Sequence, residues 1–63
     1  MGDELPIYVH VRTGSREWQY RFTQGVGIER RYYRQATLKW SKWEPEPNSS
    51  VSDAVLTLMV EMR

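Results

Sequence analysis

The sequence predicts an α+β fold: a small antiparallel sheet, built from an N-terminal β-hairpin plus one or two further strands, followed by a C-terminal helix. Three observations predict it. Apolar and polar residues alternate across Leu5–Arg12 and again across Glu17–Thr23, the period of half-buried strands. Thr13-Gly14-Ser15-Arg16 joins the two runs, and a two-residue turn with Gly first connects antiparallel strands. A last apolar run, 51–63, follows a Pro- and Ser-rich stretch and carries a helical stripe. The competing architecture is an all-β meander or small barrel, with the last run as a strand.

The hairpin spans residues 4–23. Centring its turn on Gly14-Ser15 sets Val11 opposite Trp18, Val9 opposite Tyr20 and Ile7 opposite Phe22. Every apolar pair then falls on one face. The other face pairs Arg12 with Glu17, His10 with Gln19 and Tyr8 with Arg21, including one opposite-charge pair and one cation–π pair. A one-residue slip would set apolar side chains against polar ones.

Gln24-Gly25-Val26-Gly27 reads as a loop, because glycines two apart break either period. Ile28 to Gln35 reads as extended chain, with Tyr32-Tyr33 favouring a strand; a helical stripe of Ile28, Tyr32 and Ala36 competes. Thr37 to Trp43 alternates and reads as a strand, with Leu38 and Trp40 facing in and Lys39, Ser41 and Trp43 facing out. Residues 44–50 read as a linker: two prolines end a ladder, and Glu44 and Glu46 are solvating charges.

Residues 51–63 read as a helix starting at Val51 or Ser52, with Ser caps, Asp53 in the first turn and Arg63 in the last. Val51, Ala54, Val55, Leu58, Met59 and Met62 share one side. As a strand, the same run would turn Leu56, Leu58, Val60 and Met62 inward. In either form the run closes the core or makes a homodimer seam.

Sixty-three residues allow one domain, 1–63. The chain has no Cys and one His, which leaves no disulfide, thiolate site or zinc set. No nucleophile–base pair, metal set or cofactor loop is present, so the expectation is a non-enzymatic protein with no cofactor. Gly25-Val26-Gly27 lacks the further residues of a nucleotide loop, and His10 reads as a rim histidine. No apolar run approaches the roughly 20 residues of a membrane span. Asp3 and Glu4 stand where a signal peptide would be basic, and Pro6 breaks a myristoylation pattern. A soluble, cytoplasmic protein without a membrane partner is expected.

Charge and aromaticity concentrate in one stretch. From Arg12 to Trp43 eight cations oppose two glutamates, a net +6, while the whole chain is +1. Seven of the eight aromatic residues lie there too. Cations interleaved with rings suit a polyanion whose bases stack, and equally a protein hot spot. Trp18, Tyr20 and Phe22 are expected in the core, although the same rings could form a stacking platform. Arg30, Arg31, Arg34, Lys39 and Lys42 are the candidate phosphate contacts, and Tyr32, Tyr33 and Trp43 the candidate stacking rings. Trp43, an indole expected on the wet face beside lysines, is the foremost of these.

The expected function is therefore a nucleic-acid-binding module, for DNA or RNA, working through a cationic aromatic face. The alternative is a small regulator or inhibitor, for example phage- or plasmid-encoded, that docks on an acidic protein surface of a host system.

Overall fold

A computed structural model describes residues 8–62 of the chain. They form an antiparallel sheet with one helix at its C-terminal end: β1 (Val9–Thr13), β2 (Arg16–Thr23), β3 (Gly27–Arg34), β4 (Lys39–Trp40), β5 (Glu44–Pro45) and α1 (Ser49–Glu61). The strand order is β1-β2-β3-β4, and β5 also pairs with β3. The sheet is open. This is the expected α+β class, with the last run as the helix.

The first hairpin has the register its turn and alternation dictate: Val9 faces Tyr20, His10 faces Gln19, Val11 faces Trp18 and Arg12 faces Glu17. Gly14 has φ 60, and Ser15 is not at positive φ, as a II′ turn requires. Arg12 and Glu17 form the expected exposed ion pair. Leu5 and Ile7, the outer part of the predicted hairpin, lie outside the described residues.

A second hairpin follows. Trp18 pairs with Tyr32, Tyr20 with Arg30 and Phe22 with Ile28, so Ile28 onward is strand, as its tyrosines favoured. The turn uses Gly25 at φ 87, and the Val26 N–H donates to the Thr23 carbonyl at 3.0 Å.

The third connection departs from expectation. Residues 35–38 are a turn, and the strand begins only at Lys39. Leu38, expected to face the core, stands at φ 57 and is 73% exposed. A chain reversal needed a left-handed residue here, and Leu38 occupies that place.

The return segment then contains a bulge. Tyr33 pairs with Trp40, and Arg30 pairs with Glu44. Three steps along β3 are thus matched by four along its partner, so Ser41 and Lys42 together oppose Tyr32. Hydrogen bonds fix Ser41 there: its N–H donates to the Tyr32 carbonyl at 2.7 Å, and the Tyr32 N–H donates to Ser41 Oγ at 3.0 Å. Two residues against one is a β-bulge, which kinks a strand and re-aims its side chains.

Residues 44–50 are not a free linker. Glu44–Pro45 is an edge strand, where a proline without an N–H is tolerated. Glu46 is held by β3 through its N–H, which donates to the Ile28 carbonyl at 3.0 Å. Helix α1 starts earlier than expected, at Ser49, and its cap is Asn48 rather than a serine. Asn48 Oδ1 accepts from the N–H groups of Ser50 and Val51 at 2.9 and 3.3 Å, satisfying donors that the first turn leaves open. Asp53 consequently falls past the first turn, and Arg63 lies outside the described residues.

The helix covers one face of the sheet. Val55 and Met59 meet Val9, Tyr20 and Ile28 to form the core, with Val11, Trp18 and Val51 packed at its margin. Burying each such side chain is worth about 1.5–3 kcal/mol. Of the three rings expected in the core, Tyr20 is buried, Trp18 is half-buried, and Phe22 is 53% exposed. Trp40 is half-buried and outside the core as well. Leu58 and Met62, placed on the helix's inward side by spacing, are exposed, as are Leu56 and Val60.

Candidate nucleic-acid interface

Period two sorts the sheet residues between its faces. Tyr20 and Ile28 point to the helix. Their neighbours Gln19, Arg21, Glu29, Arg31 and Tyr33 therefore point away from it, to the face that α1 leaves open. The bulge decides what joins them. Trp40 lies across from Tyr33 on this face, and a regular strand would turn Trp43 to the opposite side. The extra residue returns Trp43 to the same face as Trp40.

The result is an aromatic platform centred on one guanidinium. Arg31 lies 4.5 Å from the Trp43 ring centroid, 4.9 Å from Trp40 and 5.9 Å from Tyr8. Tyr8 stacks on Trp43 at 5.7 Å, and Tyr33 meets Trp40 edge-on at 5.3 Å. Arg21 lies 4.1 Å from the Trp43 ring. The cation–π partner expected for Arg21 was Tyr8; Trp43 takes that place instead. Each such contact contributes about 0.5–2 kcal/mol, depending on its exposure.

Two polar devices hold the guanidiniums. Gln19 is buried, accepts from Arg31 Nε at 2.7 Å, and meets His10 Nε2 at 3.2 Å. Glu29 accepts from Thr23 Oγ1 at 2.8 Å and from Arg21 Nε at 2.9 Å. Those two hydrogen bonds hold its carboxyl below the ordinary carboxylate value. Arg21 is thus neutralised locally, whereas Arg31 has no carboxylate partner among the described residues.

The remaining predicted contacts lie on the helix side. Arg30 is committed to Glu44 and Glu46, each 3.4 Å away. Tyr32 lies beside Trp18 at 5.5 Å, with Arg16 4.3 Å and Arg34 5.5 Å from its ring centroid. Lys39 pairs with Arg34 and is exposed, as is Lys42 in the bulge. The structure therefore brings Arg31, Tyr33 and Trp43 together on the open face. It places Arg30, Tyr32, Arg34, Lys39 and Lys42 on the other.

Tyr8, Gln19, Arg21 and Trp40 complete the platform although none is among the predicted contacts, and Trp40, expected to face the core, lies on the open face instead. The hairpin register does put Tyr8, Gln19 and Arg21 on one face. Gln19 acquires a role only once β3 is known to lie beside it, opposite Arg31.

Among the described residues no group of three or more His, Asp or Glu side chains converges to hold a metal. No helix among them is long and apolar enough to cross a membrane. Comparison with protein-family models, with curated proteins and with solved structures finds no match.

Proposed function

We propose that the open face binds single-stranded nucleic acid, with bases stacking on Trp43, Trp40 and Tyr33 and a phosphate held by Arg31. The observation that supports this reading is the setting of Arg31 among Trp40, Trp43 and Tyr8 on a sheet face that no other element covers among the described residues. With its Nε–H given to Gln19, Arg31 keeps the N–H donors of its two terminal nitrogens for an anion. Rings on a sheet suit unpaired bases, which can splay and stack. Reading a duplex groove needs a projecting helix or ribbon, and among the described residues the open face has neither.

Titration of single-stranded DNA, RNA and duplex DNA, followed by tryptophan fluorescence at low and near-physiological salt, tests this reading. Single strands of either sugar should quench the signal, with affinity falling as salt rises. Arg31→Ala should reduce the slope of log affinity against log salt by about 0.7–1. Trp43→Ala should cost about 1–3 kcal/mol, the worth of one stacked base. No response at low salt would overturn it.

The second reading, a regulator docking on a protein, is favoured by α1. Leu56, Leu58, Val60 and Met62 are exposed there, and exposed apolar side chains grouped on one element suit a protein surface or a second copy of the chain. Binding of that kind would tolerate salt and depend on one or two anchors.

A further inference from the structure

Two adjoining open grooves, each of about 500 Å³, run along the end of the sheet that α1 does not cover. They share Tyr32, Arg34 and Thr37. Between them they gather Arg16, Arg34, Lys39 and Lys42, none of which has a carboxylate partner among the described residues. The one acidic side chain lining them, Glu44, is already 3.4 Å from Arg30.

Arg16 and Arg34 are both drawn to the ring of Tyr32, at 4.3 and 5.5 Å, and Arg34 also donates to the Tyr32 hydroxyl at 3.2 Å. One ring thus draws two cations, neither with a carboxylate partner among the described residues, and an anion beside the ring is attracted to both. With guanidiniums at its ring, Tyr32 offers phosphate contacts more readily than a bare stacking surface.

The groove and the platform meet at one residue. Trp40 lines the groove and also lies 4.9 Å from Arg31. We infer that a single strand stacked on the platform continues past Trp40, around the bulged edge, and into this groove, where Arg16, Arg34, Lys39 and Lys42 grip its phosphates. The inference rests on the nucleic-acid reading of the platform and adds a division of labour: bases on one face, backbone on the other.

Oligothymidylates of about 4 and about 12 nucleotides, within the usual site sizes of single-strand binders, separate the two claims. The probe is tryptophan quenching across a salt series, with wild type and an Arg16→Gln/Arg34→Gln double variant. The longer strand should bind wild type with the steeper salt dependence. The double variant should lose about 1.4 from that slope, two phosphate contacts at about 0.7 each, and bind the short strand as wild type does. Lys39→Gln/Lys42→Gln disturbs no ring contact and should show the same loss, which guards against misfolding of the first variant. Unchanged slopes on the long strand, with the short strand still quenching, would overturn the groove path and leave the platform standing. No quenching by the short strand would overturn both.

Discussion

The carboxylate of Glu46, its side chain only 3% exposed, lies 3.4 Å from Arg30 Nη1 through one oxygen and accepts from the Asn48 N–H at 3.0 Å through the other. One acidic group therefore fastens β3 to the residue that caps α1. Its burial is tolerable because both oxygens are engaged.

Removing that group should be costly. Glu46→Ala is expected to destabilise the protein by about 1–3 kcal/mol, because it removes the buried one of the two carboxylates beside a partly buried guanidinium. Arg30 Nε lacks a hydrogen-bond partner and keeps only the exposed Glu44 carboxylate, 3.4 Å away, which offsets part of the loss. Urea unfolding measures the loss. An Arg30→Met/Glu46→Met pair should recover part of it, since two apolar groups leave no orphaned charge. A double variant no better than Glu46→Ala would refute the coupling.

The cap is a smaller and separable term. Asn48→Ala should cost about 1 kcal/mol, and Asn48→Asp or Asn48→Ser close to nothing, because each keeps an acceptor for the Ser50 and Val51 amides. Thermal melts of the three variants decide it.

Leu38 offers a gain. An L residue in the left-handed region is strained, and this one is largely exposed at φ 57. Leu38→Gly should raise stability by up to about 1 kcal/mol, the relief of backbone strain less the extra entropy of the unfolded glycine. A lower urea midpoint in the variant would mean that Leu38 makes contacts worth more than its strain.

Acid should act partly through Glu29. Its folded-state carboxyl is held below the ordinary 4.5 by Thr23 and Arg21. A lowered folded value means that the stabilisation is fully present above 4.5 and is lost as the pH falls through the lowered value. Wild type should therefore be more stable than Glu29→Gln at neutral pH, with the difference shrinking in acid. A pH-independent difference in urea midpoints would show that the carboxylate's charge is not what matters.

Legibility from the sequence followed the agreement of local signals. At Gly14-Ser15 the turn type and the alternation on both sides point to one register, and the chain adopts it. The Arg31–Trp43 pairing was harder. Residue types marked both as candidates, but strict period two sends Trp40 and Trp43 to opposite faces. Only the bulge at Ser41-Lys42 reverses that, and a bulge leaves no fixed mark in a run without glycine. Glu46 was misread for a different reason. Between two prolines a glutamate looks solvated, and its burial depends on Arg30, a partner sixteen residues away. Leu38 was misread because an apolar residue inside an alternating run looks inward-facing, whereas here the demands of the reversal override its hydrophobicity.

The bulge also shapes the edge that this sheet offers to another strand. A straight return strand from Lys39 to Pro45 would present a row of free amides and carbonyls, the kind of margin on which another copy's strand can zip and begin an aggregate. Instead that margin carries a kink at Ser41-Lys42, two exposed lysines and two prolines. Each interrupts the ladder or repels a copy bearing the same charges. Among the described residues the only uninterrupted margin belongs to β1, five residues long, so the same extra residue that aligns the two indoles leaves a docking strand a single place to add.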